Sequence, residues 1–125
     1  MSGLCLDAGA LIALDRGDRA VVARLYRAVE LGLPIVIPAG ALAQSWRDGA
    51  KQARLARLLS AEGVEVEPLD HERACAAGQL CGRTRTRDIV DAQVALCARR
   101  GGHAVLTSDP SDLRRLDPTL RIVPV

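Results

Sequence analysis

The chain has 125 residues, 49% of them hydrophobic, with a formal net charge of +2, which fits one domain spanning residues 1–125 that can bury a real core. With one Trp, one Tyr and no Phe, that core must be Leu, Val, Ile and Ala, and the absence of a stacking platform for bases argues against an RRM or OB-type reader of single strands. The charge is too small to indicate nucleic acid by itself, and the near-exclusive use of Arg, with Lys51 the one lysine, suits phosphate contacts but is more simply the mark of a GC-rich genome.

Leu4 to Leu6 reads as a short apolar strand, and Asp7 follows it immediately before a helix that begins at Ala8 and carries Leu11, Ile12 and Leu14. Asp7 therefore stands at a strand-to-helix junction. Asp18 caps a second helix with Val21, Val22, Leu25, Ala28 and Val29 at helical spacing, stopped by Gly32. Pro34 to Pro38 is a buried strand bounded by prolines. Gly40 to Arg47 is the next helix, with Leu42, Ala43 and Trp46 on its apolar side and Gln44 pointing elsewhere, and a further helix runs from Lys51 to Ala61. Val64 to Glu67 alternates as an edge strand with one wet face does. Asp70, His71 and Glu72 open a helix to about Leu80, after which Arg83, Arg85 and Arg87 lie in the loop before Asp88. Ile89 to Ala98 is too apolar for a surface helix and stops at Arg99, Arg100 and Gly101. Ala104 to Leu106 has the length and branching of a buried parallel strand, with Asp109 just past its carboxyl end; a short helix from Pro110 to Leu116 and a strand from Arg121 to Val123 close the chain.

The acids of the late segment have a purely structural explanation. Asp88 and Asp91 fit an N-cap and its N3 partner, and Asp109 to Asp112, with proline at the first helical position, fits another cap. Taken alone, this stretch favours capping, because acids belong at helix N-termini. The four cysteines, Cys5, Cys75, Cys81 and Cys97, sit in apolar segments without zinc or redox-pair spacing, and read as buried thiols of a reducing compartment. His71 and His103 are isolated and read as structural. No basic leader or long apolar span precedes Asp7, so the expected location is cytoplasmic, with no membrane association.

Strands alternating with helices predict an α/β fold, a three-layer α/β/α sandwich around a central, mainly parallel sheet. Right-handed crossovers place the carboxyl ends of parallel strands along one edge, where ligands bind. Asp7 and Asp109 converge there, and the helix feeding the Asp109 strand presents Asp91, with Asp88 near it. Carboxylates so gathered repel one another unless a cation neutralises them, and oxygen-only donors select Mg²⁺ or Mn²⁺. Such an ion fits phosphodiester hydrolysis, since it activates water and stabilises charge on phosphate. The three arginines, Arg83, Arg85 and Arg87, read equally as a solvated loop and as a grip on RNA phosphates beside that site.

Four segments together resemble one family: L-D-A-G-A-L-I-A-L after the first strand, V-I-P-A-G-A-L-A-Q-S-W-R in the middle, D-I-V-D-A-Q-V-A on the late helix, and L-T-S-D-P-S-D-L-R-R-L near the end. In this order and spacing they look like PIN-domain ribonucleases of the VapC kind, the toxin halves of VapBC toxin-antitoxin pairs. The resemblance spans nearly the whole chain and implies a single PIN-like domain acting as a Mg²⁺- or Mn²⁺-dependent endoribonuclease. It further implies a homodimer, inhibited by a cognate antitoxin encoded beside it. By position, Asp7, Asp91 and Asp109 fall on the catalytic, metal-binding acids and Asp112 on an accessory acid. Gln44 stands where such proteins commonly have glutamate, one carboxylate fewer. The resemblance also implies an antitoxin segment laid across the active-site groove, with a basic side chain directed at the acids to mimic the metal's charge, apolar contacts from the first helices, and Trp46 either a contact or part of the core.

Rival readings are weaker. A receiver-type phosphoacceptor resembles a site with paired acids after the first strand, an Asp after a middle strand and a late Lys, whereas here Asp7 stands alone, the middle strands end in Pro38 and Pro68, and the only lysine is Lys51. No Gly-rich phosphate loop precedes a helix, and no nucleophile elbow is present. The alternative that remains is a catalytically weak or inactive PIN-like module binding RNA or a protein partner, for which Gln44 is the best argument.

Overall fold

The computed structural model describes residues 2–125. Among them, β1 (Leu4–Leu6), β2 (Ile35–Pro38), β3 (Val64–Glu67), β4 (Ala104–Thr107) and β5 (Ile122–Pro124) form one sheet in the order β3-β2-β1-β4-β5. Every pairing is parallel. The strands other than β3 are short apolar runs because helices cover both faces: Cys5, central in β1, pairs with Val36 on one side and Val105 on the other and is fully buried.

The connections are α1 (Ala8–Asp15) and α2 (Arg19–Glu30), α3 (Ala39–Ser45) and α4 (Ala53–Ser60), α5 (His71–Thr84) and α6 (Ile89–Gly101), and α7 (Pro110–Leu116). From β1 the chain steps outward to β2 and β3, then crosses back to β4 and β5 on the far side of β1. Right-handed crossovers therefore lay α1 to α4 on one face and α5 to α7 on the other. Helix contacts follow these layers, with α1 against α2, α3 and α4, and α6 against α5 and α7. One contact does not. Helix α3 also meets α6, across the carboxyl edge of the sheet.

Helix starts are encoded locally. Asp7, Asp18, Asp70 and Asp88 each accept a hydrogen bond from the backbone N–H three residues on, a cap contributing about 1 kcal/mol. Helix α6 buries Ala92, Gln93, Val94, Ala95, Cys97 and Ala98 and is the core helix its composition predicts. His103 has the structural role expected of it, accepting from the Gly3 N–H at 2.9 Å.

Several local expectations are corrected. Helix α3 ends at Ser45, not Arg47, and buries Ala41 and Ser45 while Ala43 is exposed. The cause is Gln52, buried in the following loop: its amide oxygen accepts from Arg47 N (2.7 Å) and Asp48 N (2.9 Å), and its nitrogen donates to Ser45 O (2.9 Å). These bonds replace a further helical turn and delay α4 to Ala53. Helix α5 runs one turn past Leu80, so Arg83 lies on a helix and not in a loop. In β3 the alternation fails, since Val66 is exposed while the Glu67 side chain is folded down onto Arg100 (3.1 Å) and Arg73 (3.5 Å). Cys75 is exposed, unlike the other three thiols.

Candidate active site

The strand order reverses between β1 and β4, and at the carboxyl ends of these two strands stand Asp7 and Asp109. Such a reversal opens a crevice beyond the sheet edge. Asp7 is only 3% exposed. Its Oδ1 accepts from Ala10 N at 2.8 Å, and its Oδ2 accepts from the Thr107 hydroxyl. Burial pushes its carboxyl above the usual range against the pull of these two hydrogen bonds, and the charge of Asp109 adds to the rise.

Thr107 went unnoticed in the sequence. It is fully buried, and besides donating to Asp7 its hydroxyl accepts from Asp109 N at 2.8 Å. One hydroxyl thus fixes the rotamer of the first acid and the backbone of the second. The available signal was a hydroxyl ending an otherwise apolar strand, directly before Ser108 and Asp109. Ser108 packs on the first turn of α1 at Gly9, where an added Cβ would lie 1.8 Å from its Oγ, so only glycine lets the two segments approach this closely.

Asp109 occupies the N-cap position of α7, with proline following, yet its side chain makes no capping hydrogen bond. Capping therefore does not explain this acid. Asp88 does cap α6, accepting from Asp91 N at 2.9 Å. Asp91, half-buried in the first turn of α6, is pushed up to about 7 by burial first, then by the charge and hydrogen bond of Asp88 and the charges of Asp7 and Asp112. Acids from β1, α6 and the first turn of α7 thus act on one carboxyl, as the topology predicts.

Gln44 is exposed on α3. It lies one turn beyond Gly40, and a Cβ on Gly40 would face Val90 and Gln93 of α6, so Gln44 belongs to the side of α3 turned toward α6. Gln93 is a second polar residue that sequence reading missed, hidden inside an apolar helix. Arg83 lies in the last turn of α5, while Arg85 and Arg87 are exposed in the short segment before α6. Arg85 has φ 59°, the one described non-glycine residue in the left-handed region. Trp46 is half-buried and packs against the core.

Among the described residues, no three His, Cys, Asp or Glu side chains are gathered tightly enough to hold an ion unaided. The donors nevertheless fit a hard divalent ion. They are oxygens, they repel one another, and Mg²⁺ keeps several waters and needs only one or two direct carboxylates.

The PIN domain family model matches residues 4–117, from the first strand through the last helix, with Asp7, Asp91, Asp109 and Asp112 inside the match. The chain belongs to the PIN domain family. Solved structures share this PIN fold. VapBC2 from Rickettsia felis, bound to a DNA fragment from its promoter, aligns with a TM-score of 0.71 at 16% identity, over 97% of this chain and 97% of that one. FitAB bound to an IR36 DNA fragment aligns at 0.64 with 16% identity, over 97% and 94%. FitAcB from Neisseria gonorrhoeae aligns at 0.61 with 18% identity, over 95% of each. At these identities the likeness is one of fold. No curated protein matches the sequence.

Proposed function

We propose that this PIN domain, one unit over residues 1–125, is a divalent-metal-dependent endoribonuclease and the toxin of a toxin-antitoxin pair. The observation that carries the reading is Asp91, an acid raised to about 7 beside Asp88, Asp7 and Asp112 at the strand-order reversal. A carboxyl so placed gains from a cation. Asp7, Asp91 and Asp109 would hold Mg²⁺ or Mn²⁺, with Asp88, Asp112 and Gln44 as accessory groups. When bound, the ion supplies an activated water and charge stabilisation at the scissile phosphate.

The chain's own residues supply the rest. Thr107 keeps the Asp7 carboxylate in one orientation. Asp91, whose carboxyl is raised while no ion is bound, gives up its proton as the cation binds. Arg83, Arg85 and Arg87, exposed beside the start of α6, grip phosphates flanking the cut. Membership of a family that is generally one of nucleases supports the reading, as does the fold shared with VapBC2 and FitAB.

The antitoxin segment expected across the active-site groove would extend over the surface between α2 and α4. Two adjoining depressions of about 570 and 620 Å³ lie there, sharing Val22, Tyr26, Glu30 and Arg54. Tyr26, 72% exposed, is the aromatic contact that sequence reading sought in Trp46. Arg19, Arg27, Arg54 and Arg57 line the depressions against a single acid, Glu30, a setting for an apolar segment with acidic flanks. A homodimer and a cytoplasmic location complete the proposal.

The amide at Gln44, where a carboxylate would add a charge, favours a second reading: a PIN module that binds RNA or a partner without cutting. Cleavage of RNA with Mn²⁺ tests both. Wild type should cut, and Asp91→Asn should be slower by roughly 100-fold. Gln44→Glu should bind Mn²⁺ more tightly and cut faster when Mn²⁺ is limiting. A Gln44→Glu protein that gains affinity for Mn²⁺ and still cuts no RNA identifies the non-cleaving module.

A further inference from the structure

Gln93 is 1% exposed in the midst of Ala92, Val94 and Ala95. Its Oε1 accepts from Gly40 N at 3.1 Å, and its Nε2 donates to the Glu67 carbonyl at 3.2 Å. Both partners lie where neighbouring strands end, because Pro38 and Glu67 are paired in register. Gly40 is the second residue of α3, and the N-cap position of that helix is Pro38, which has no side-chain acceptor. The first turn of α3 therefore lacks a local cap. A side chain from the opposite helical layer supplies it.

An amide serves both partners at once. A carboxylate has no proton for the Glu67 carbonyl, an ammonium cannot accept from Gly40, and an apolar side chain orphans both backbone groups. Gly40 provides the room, since a Cβ there would lie 3.1 Å from the Gln93 oxygen and 3.3 Å from Val90 Cγ2.

This bond joins the two helices that flank the crevice. Asp91 precedes Gln93 by two residues on α6, and Gln44 follows Gly40 by one turn on α3. We propose that Gln93 is a positioning residue: by capping α3 from α6 across the carboxyl edge, it sets the span between the helix carrying Asp91 and the helix carrying Gln44, and so the oxygens offered to a divalent cation. The inference rests on the metal-site reading above and adds a residue that never touches the ion.

The test titrates Mn²⁺ into wild type, Gln93→Leu and Val21→Ala, reading the thermal-unfolding shift and the loss of the free-ion EPR signal. Val21 is a buried residue of α2, so Val21→Ala controls for lost stability. Gln93→Leu should melt lower and bind Mn²⁺ about tenfold more weakly, with Val21→Ala binding as wild type does. Wild-type affinity in Gln93→Leu overturns the proposal and leaves the nuclease reading standing. Should wild type itself take no Mn²⁺, the metal reading fails, and NMR of the ion-free protein decides the rest. The Gln44 side-chain amide signals should then move in Gln93→Leu and hold still in Val21→Ala; signals unmoved in both overturn the positioning role.

Discussion

Without an ion, Asp91 opposes the fold that holds it. Its carboxyl, raised from an ordinary value near 4 to about 7, keeps a proton in the folded chain that the unfolded chain has already released in this window. More protons bound folded than unfolded means that stability falls as pH rises from about 4 to about 7 and levels off above. Asp7, shifted in the same direction, adds to the slope. Asp91→Asn removes the larger part. In EDTA the variant should match wild type at pH 4 and melt a few degrees higher at pH 8, about 1 kcal/mol once solvent screening of a half-exposed group is allowed for. A difference that is the same at both pH values would show that Asp91 is not held protonated. Gln93 and Thr107 teach a related lesson at this scale. Both are buried polar groups that donate and accept at the same time, so each fixes an acid's surroundings without adding charge.

The turn between α5 and α6 holds the clearest local conflict between sequence and backbone. Arg85 ends α5 in the left-handed region, with its N–H on the Cys81 carbonyl, a position where glycine is usual and another residue costs about 1 kcal/mol. Two substitutions separate backbone from charge. Arg85→Gly should raise stability by about 1 kcal/mol and weaken RNA binding, whereas Arg85→Gln should keep the strain, weaken RNA binding equally and flatten its salt dependence. Filter binding at several salt concentrations and thermal unfolding measure both quantities. If neither variant changes the salt slope, the arginines belong to solvent; if Arg85→Gly gains no stability, the turn is unstrained. The sequence reading ended this helix near Leu80, and α5 runs on to Thr84 through Gly82. In the fold Gly78 and Gly82 lie on an open face where a side chain would meet nothing, and packing of α5 on α6 carries the helix past them.

At the scale of the whole molecule, the basic and apolar surface between α2 and α4 leaves Tyr26 exposed, while the acids gather at the sheet edge. Co-expression with the product of an adjacent small gene should yield a complex with suppressed nuclease activity. Tyr26→Asp, which places a negative charge on a surface proposed to take an acidic, apolar segment, should weaken that complex at least tenfold and leave free-enzyme cleavage unchanged. An unaltered affinity moves the partner elsewhere.

What the sequence determined by itself was whatever neighbours along the chain decide. Apolar runs of three or four residues, Asp caps three residues ahead of the N–H they satisfy, and glycine stops act over one turn, so they gave the alternation of strand and helix. From that alternation followed the parallel sheet and the placing of Asp7 and Asp109 at its carboxyl edge. Tertiary structure decided what depends on distant surfaces meeting. The Thr107 bond to Asp7 spans 100 residues, the Gln93 bond to Gly40 spans 53 and its bond to Glu67 spans 26. The same holds for the exposure of Cys75. A side chain's partners at such separations are fixed by which layers pack together, and no periodicity along the chain encodes that choice.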